Sequence, residues 1–131
     1  MKRILLVLSL MGSAVASHAS FELLLQIDRV PNAYQIKRFD PMSGTYLGSF
    51  GQGWLTDPQN LVLRNGVLYV LDTMSRTASG GGRIHKFNPN TGELLGTVVL
   101  PANWGKVGNG SSLQIDSGGN FYVSDAQGTP N

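Results

Sequence analysis

The side chains best suited to recognition chemistry are two tryptophans, an arginine and two aspartates. Trp54 lies in GQGWLTDP and Trp104 in PANWGKVGNG, while Asp72 and Asp125 each follow a short apolar run. Tryptophan offers a large apolar face with an N–H donor, and a carboxylate or guanidinium beside it adds polar contacts to a sugar, a peptide or a protein. Arg76, in TMSRTASGGGR, supplies such a cation. We therefore predict that these five residues form a ligand-binding set.

Each of these residues also has a structural interpretation. Tryptophan is largely buried in most proteins, so Trp54 and Trp104 could instead pack between neighbouring sheets. An aspartate directly after a strand commonly accepts backbone N–H bonds from the following turn. The recurrence of Asp72 and Asp125 after similar runs favours that structural role for both.

Catalytic and metal-binding chemistry has few candidates. His85 is the only histidine outside the N-terminal segment, and its alignment with Lys37 in a repeat described below predicts a solvent-facing strand position. A Ser-His-Asp triad would need this imidazole to meet both a serine and a carboxylate. Cysteine is absent, so a zinc site of the usual His and Cys type cannot form. We predict no catalytic residues, no metal ligands and no cofactor, and a non-enzymatic role is favoured over an enzymatic one.

These candidates sit in a chain that repeats itself. QIKRFDPMSGTYLGSF, beginning at Gln35, returns as RIHKFNPNTGELLGTV, beginning at Arg83. NLVLRNGVLYVLD, ending at Asp72, likewise matches SLQIDSGGNFYVSD, ending at Asp125, and LLLQID, ending at Asp28, resembles part of an earlier copy. A period of this length indicates one supersecondary unit used repeatedly.

The repeated unit predicts an all-β fold. Its apolar runs are short, rich in Val, Ile, Leu, Tyr and Phe, and separated by Gly, Pro, Asn and Asp, with no helical period. Tight turns are expected at Asp40-Pro41 to Gly44, at Asn88-Pro89 to Gly92, at Asn65-Gly66 and at Gly118-Gly119. One unit then contains four antiparallel strands: a (Leu61 to Leu63), b (Leu68 to Leu71), c (Arg83 to Phe87) and d (Leu94 to Leu100).

The pattern P-x-x-L-x-hydrophobic, N-G-x-L-Y-V-x-D and R-I-x-K-F-N-P-x-T-G resembles the NHL-repeat family and related six-bladed β-propellers. The resemblance implies antiparallel four-stranded blades in an incomplete ring of about two and a quarter blades, whereas propellers close with about four to eight. It also implies that the d-to-a and b-to-c loops emerge on one face, which would bring the predicted ligand-binding set together. The chain is interpreted as the N-terminal part of a longer propeller. The alternatives are a ring built from several copies and an open meander whose edges a partner covers.

The N-terminus predicts export. A basic start, MKR, precedes an apolar stretch from Ile4 to Ala16, which is too short to span a bilayer and is typical of a secretory signal peptide. We predict a signal peptide over residues 1–19, with cleavage after Ala19 or, as second choice, Ala16, and blades over residues 20–131. An uncleaved membrane anchor is the alternative.

Cleavage would change the charge of the chain. Lys2 and Arg3 account for the whole +2 excess, and eight basic and eight acidic residues remain. A neutral chain has no electrostatic reason to bind nucleic acid. Export without cysteine favours a bacterial protein of the periplasm, the cell surface or the extracellular space, with no membrane span after cleavage.

These features predict an exported binding or scaffold module that recognises a glycan, peptide or protein on the d–a and b–c loop face. One alternative is part of a metal-dependent hydrolase, because the chain also resembles the lactonase branch of six-bladed propellers, which holds a divalent cation with carboxylate and Asn oxygens. That branch has Pro-Asn-Gly-Leu where this chain has Pro58-Gln59-Asn60-Leu61, which displaces Asn60 by one position. Another alternative is a purely structural envelope repeat protein. Self-association through open sheet edges is also expected.

Overall fold

The computed structural model describes residues 24–30, 33–73, 82–99 and 110–125. The predicted signal peptide, Arg76 and Trp104 lie outside these ranges. The described residues form β-strands and no helix, which confirms the prediction of an all-β chain. The strands are β1 (Leu24–Asp28), β2 (Gln35–Phe39), β3 (Tyr46–Phe50), β4 (Pro58–Arg64), β5 (Val67–Asp72), β6 (Arg83–Phe87), β7 (Leu94–Val99), β8 (Gly110–Ile115) and β9 (Phe121–Asp125).

The strands form three sheets in chain order. Sheet 1 has the order β1-β2-β3, sheet 2 the order β4-β5-β6-β7, and sheet 3 pairs β8 with β9. Every neighbouring pair is antiparallel. Sheet 2 is the complete four-stranded unit that the repeat predicts, and β1, β2 and β3 of sheet 1 correspond to its last three strands.

Two Asx turns have the same geometry in successive copies. Asp40 and Asn88 each stand before a proline, and each side-chain oxygen accepts two backbone amides of its own turn. The backbone N–H of Gly44 and that of Gly92 then donate to the carbonyl oxygens of Asp40 and Asn88, both at 2.8 Å. The amides bound by the side chains are those of Met42 and Ser43 for Asp40, and those of Asn90 and Thr91 for Asn88.

The two predicted hairpin turns differ in length. Asn65 and Gly66, with φ of 49° and 74°, form the two-residue connection between β4 and β5, as a turn with two positive φ angles requires. The connection between β8 and β9 is longer, and Asp116 organises it by accepting the backbone N–H of Asn120 at 2.8 Å. Gly119, with φ of 89°, provides the positive φ in that turn.

The sheets pack face to face around two apolar clusters. β-strand side chains alternate between faces, so β5 contributes Leu68 and Val70 to one cluster and Leu71 to the other. The first cluster lies between sheets 1 and 2 and contains Ile36, Phe50, Leu55, Leu68, Val70 and Phe87. The second lies between sheets 2 and 3 and contains Leu71, Ile84 and Leu113, with Val62, Tyr69, Val98, Phe121 and Val123 against it.

One glycine shows how closely the sheets approach. Gly92 has φ of 77° and lies against Phe50 of sheet 1, so that a Cβ atom at this position would come 2.5 Å from the Phe50 Cβ. Gly44 holds the same turn position in sheet 1, with φ of 70°, yet its Cβ would meet nothing within 4 Å. The turn of sheet 2 is therefore part of an interface, whereas the matching turn of sheet 1 meets no described neighbour.

Candidate functional site

Two connections meet at one end of sheets 1 and 2. One joins β1 to β2 and the other, residues 51–57, joins β3 to β4. Together they line a pocket of about 500 Å³, which places a b–c type loop and a d–a type loop at the same end of the molecule. The lining residues are Ala33, Tyr34, Gln52, Gly53, Leu55 and Thr56.

Trp54 lies on this pocket loop and is 54% exposed. The backbone N–H groups of Trp54 and Leu55 both donate to the Gly51 carbonyl at 3.1 Å, which forms a tight turn. Leu55 is buried in the first cluster, and it lies so close to Gly51 that a Cβ there would come 2.8 Å from its Cδ1. Leu55 therefore anchors the loop, and the interpretation of Trp54 as a residue packed between sheets is wrong.

Asp72, the last residue of β5, holds the other end of the same loop. Its side chain is buried, and its carboxylate accepts the backbone N–H of Thr56 at 2.8 Å and that of Asp57 at 2.7 Å. The Thr56 hydroxyl donates to the same carboxylate at 3.0 Å. The expectation that Asp72 has a structural role is met, and the donors among the described residues come from the connection before β4.

The environment keeps Asp72 ionised. Burial alone would raise the pKa of this carboxyl, because desolvation disfavours the charge. The His85 imidazole, the backbone N–H groups of Thr56 and Asp57 and the Thr56 hydroxyl outweigh that effect, so the pKa of Asp72 is lowered from its usual value. The carboxylate therefore serves as a charged acceptor for the loop.

A second set of bonds fixes the start of β4. The backbone N–H of Thr73 donates to the Asp57 carbonyl and its hydroxyl to the Asp57 carboxylate, both at 3.1 Å. Gln59 donates its side-chain amide to the same carboxylate at 2.7 Å. Residues 56 and 57 are thus bound from the end of β5 on one side and from β4 on the other.

His85 corrects a sequence-based prediction. It was expected to face solvent, but it is only 2% exposed. Its Nδ1 lies 2.9 Å from the Thr97 hydroxyl, and its Nε2 lies 3.5 Å from an Asp72 carboxylate oxygen, which is longer than an ordinary hydrogen bond. The alignment with Lys37 was misleading because sheet 1 covers the face of sheet 2 that carries His85, whereas Lys37 is partly exposed.

Thr97, His85 and Asp72 form a row across β7, β6 and β5. The order matches a hydroxyl, a base and a carboxylate, as in a nucleophilic triad. A nucleophile also needs access to substrate and donors for an oxyanion, yet the imidazole is buried and none of the three residues lines the pocket. The carboxylate instead binds the loop, so the row connects the middle of sheet 2 to residues 56 and 57.

Sheet 1 repeats this row in a simpler form. Asp28 ends β1 as Asp72 ends β5, and its carboxylate lies 2.9 Å from the Lys37 ammonium. Gln35 donates to the same carboxylate at 2.9 Å. The Gln35 amide and the Lys37 ammonium lower the pKa of Asp28 from its usual value. Both copies therefore have an aspartate at the end of strand b and a basic residue, Lys37 or His85, diagonally opposite on strand c.

Arg29 links the two loops, and sequence reasoning missed it. Its guanidinium donates to the carbonyl of Pro58 at 3.0 Å and to the side-chain oxygen of Gln59 at 2.5 Å. The connection after β1 is thereby tied to the start of β4. No sequence signal marked Arg29, because the repeat aligns it with Thr73, a residue of different chemistry.

The remaining predicted residues are only partly described. Asp125 ends β9 and pairs in register with Gly110, much as Asp72 pairs with Pro58, but its side chain lies outside the description, as do Arg76 and Trp104. Of the predicted ligand-binding set, Trp54 lies on the loop of residues 51–57, and Asp72 of β5 accepts hydrogen bonds from the same loop. Asn60 pairs with Leu71 within sheet 2.

Within the described ranges, no group of three or more His, Asp or Glu residues is arranged to hold a metal ion. The same ranges contain no helix that is long and apolar enough to cross a membrane. No family model, curated protein or solved structure matches the chain. The candidate site is therefore defined by its own geometry: a pocket between two connections, with Trp54 exposed beside it and Asp72 holding the loop in place.

Proposed function

We propose that this chain is an exported β-propeller module of the NHL-repeat type that binds a glycan, peptide or protein on its loop face. The observation that carries the proposal is the pocket shared by the β1–β2 connection and residues 51–57. Ligand sites are concave and combine apolar surface with a few oriented polar groups. Tyr34, Leu55, Gln52 and Thr56 supply that combination here, and the exposed indole of Trp54 extends it.

The order of the sheets supports the propeller part of the proposal. Three antiparallel sheets follow one another in the chain, and each packs a face on the next. β4, the first strand of sheet 2, lies beside β8, the first strand of sheet 3, and also near β1. Radial repetition of such sheets around a central axis gives a propeller.

The rigidity of the pocket loop supports a binding role. Preorganised loops bind with a smaller entropic cost because they are ordered before the ligand arrives. The loop of residues 51–57 is bound by Asp72 at one end and anchored by Leu55 in the core. The N-terminal segment MKR with its apolar stretch supports export of this module.

Tryptophan emission tests the proposal directly. The chain, produced with its own N-terminal segment, is screened against arrays of soluble glycans and short peptides, and each hit is titrated while fluorescence is recorded. We expect quenching that persists in Trp104→Phe and is absent in Trp54→Phe, together with affinity at least about tenfold weaker in Trp54→Ala.

Met42→Ala is the matched control. Met42 is 94% exposed and lies in the turn between β2 and β3, at the opposite end of sheet 1 from the pocket. Its removal should leave affinity unchanged. A ligand that binds Trp54→Ala as tightly as the unaltered chain would place recognition elsewhere and overturn the assignment of this loop face.

A further inference from the structure

The junction between sheets 1 and 2 and the junction between sheets 2 and 3 use equivalent residues of the repeat. The side of sheet 1 that meets sheet 2 carries Ile36, and the aligned residue Ile84 lies on the side of sheet 2 that meets sheet 3. The alignment extends over the whole face: Leu25, Ile27, Ile36 and Phe50 of sheet 1 match Tyr69, Leu71, Ile84 and Val98 of sheet 2.

The receiving sides match as well. Leu68 and Val70 of sheet 2 pack on sheet 1, and the aligned Phe121 and Val123 of sheet 3 pack on sheet 2. Each sheet therefore has one face that receives the preceding sheet and an opposite face that meets the next. A repeated unit of this kind is stabilised by nearest-neighbour interfaces.

Each end of the stack presents one face that no described residue covers. On sheet 1 it is the receiving face, which carries Gln26, Lys37, Phe39 and Tyr46; we call it the first outer face. On sheet 3 it is the opposite face, which carries Gln114 and Tyr122; we call it the second outer face. Tyr46 is 53% and Tyr122 is 56% exposed.

The repeat shows what these faces match. In sheet 2, Phe87 occupies the position of Phe39 and is fully buried by sheet 1. Tyr69 of sheet 2 aligns with Tyr122, and its ring lies 5.6 Å from that of Phe121 in sheet 3. The second outer face therefore corresponds to the face of sheet 2 that packs on sheet 3. The first outer face corresponds to the face of sheet 2 that packs on sheet 1. Gly44, whose counterpart Gly92 touches the preceding sheet, has open space beside it.

From this continuity we infer that a second copy of the chain docks head to tail, with the second outer face of one copy on the first outer face of the next. The contact reproduces the junction between sheets 1 and 2 and uses faces, not the open sheet edges. Its centre is aromatic, from Phe39, Tyr46 and Tyr122.

The composition of the two faces makes this contact weaker than the internal junctions. Gln26 of the first outer face aligns with Val70 of sheet 2, which is buried in the first cluster. Gln114 of the second outer face aligns with Val62 of sheet 2, which packs against the second cluster. Polar groups around an aromatic centre are typical of interfaces that form and separate reversibly. Because the two surfaces differ, the contact is heterologous, and it produces rings or open chains of copies.

Sedimentation of the full chain from about 1 µM to about 200 µM tests the inference by mass action. We expect the weight-average mass to rise at least about twofold over this range. Gln26→Lys and Gln114→Lys each place a charge on one outer face and should each abolish that rise. Leu95→Lys, at an exposed position of sheet 2 that belongs to neither outer face, should keep it.

Mixing the two variants distinguishes head-to-tail docking from a symmetric contact. Each variant retains one intact face, so an equimolar mixture of Gln26→Lys and Gln114→Lys should form dimers and nothing larger. Circular dichroism confirms that each variant is folded. A mass that stays monomeric for the unaltered chain, or a mixture that forms no dimers while the unaltered chain associates, overturns the inference.

A second readout needs no disruptive substitution. The chain contains no cysteine, so Gln26→Cys and Gln114→Cys each introduce a single thiol. Mild oxidation of the mixture should yield the mixed disulfide in at least about tenfold excess over either homodimer, since only that pair lies on opposite sides of the inferred contact, as the aligned Val123 and Val62 do between sheets 3 and 2. A mixed dimer no more than about twice as abundant as either homodimer, which is the yield of random pairing, would also overturn the inference.

Discussion

Gly92 lies so close to Phe50 that it leaves no space for a Cβ atom, which would come 2.5 Å from the Phe50 Cβ. The backbone at Gly92 also has φ of 77°, a conformation that L residues seldom adopt. Two independent constraints therefore act on this residue, one from its turn and one from the neighbouring sheet.

Gly92→Ala should destabilise the chain more than Gly44→Ala. Both substitutions place a side chain at positive φ, at a cost of about 1 to 2 kcal/mol. Only Gly92→Ala also forces Phe50 to move, which adds about 1 to 3 kcal/mol. Urea denaturation of the two variants measures the difference, and equal losses of free energy would contradict the interface at Gly92.

Asp72→Asn should loosen the pocket loop. Asn presents an NH₂ group where the carboxylate accepts the N–H groups of Thr56 and Asp57, so we expect a loss of about 2 to 4 kcal/mol in the free energy of unfolding. Asp28→Asn is the matched control, since Asp28 holds the aligned position but its partners are Gln35 and Lys37. A smaller loss is expected there. Hydrogen exchange at the amides of Thr56 and Asp57 should accelerate only in Asp72→Asn.

Acid should weaken the chain partly through Asp72. The pKa of this carboxyl is lowered in the folded chain, so its contribution to stability is complete above the unfolded value, about 3.9, and is lost as pH falls through the folded value. The free energy of unfolding should therefore decrease as pH falls below about 4. Asp72→Asn should show a shallower decrease, because Asp28, Asp40 and Asp116, whose pKa values are also lowered, remain. Parallel pH profiles for the two chains would contradict the role assigned to Asp72.

Trp54 and Leu55 should respond differently to truncation although they are adjacent. Leu55 is 5% exposed and Trp54 is 54% exposed. Leu55→Ala removes core packing and should cost about 2 to 5 kcal/mol, whereas Trp54→Ala should change the free energy of unfolding by less than about 0.5 kcal/mol. Thermal denaturation compares them. A large loss for Trp54→Ala would show that its indole supports the fold.

The carboxyl of Asp116 should titrate with a pKa of about 2. The side-chain amide and the backbone N–H of Asn120, with the Tyr122 hydroxyl, stabilise the charged form. Carbon-13 NMR of the carboxyl group measures this value. In Asn120→Ala the pKa should rise toward its usual range, and an unchanged pKa would contradict the hydrogen bonds of this turn.

Local signals predicted most of the fold. Asn65-Gly66, Asp40-Pro41 and Asn88-Pro89 carry their turn chemistry within a few residues, so these turns were placed from sequence alone. Strand c was predicted over Arg83 to Phe87, the bounds that β6 has in the structure. The first strand was predicted too short, because β4 begins at Pro58, where pairing with Asp72 overrides the usual weakness of proline in strands.

The candidate site was less predictable because its contacts are tertiary. His85 aligns with Lys37, and the residues around them in the sequence do not indicate that sheet 1 covers His85 but leaves Lys37 partly exposed. The described donors to Asp72, the backbone N–H groups of Thr56 and Asp57, lie 16 and 15 residues earlier in the chain, so a rule about the following turn could not find these two. Trp54 and Leu55 are both large apolar residues, and the packing of Leu55 in the first cluster is a tertiary contact that the local sequence does not show.

The repeated junction between sheets has a genetic consequence. Since the same pair of faces joins sheets 1 and 2 and sheets 2 and 3, an in-frame duplication or loss of the DNA for one whole sheet leaves every remaining junction chemically matched. Recombination between the copies can therefore change the length of the gene by whole units without creating a new packing problem. A deletion of half a unit has no such protection, since a sheet with two strands would cover only part of the neighbouring face.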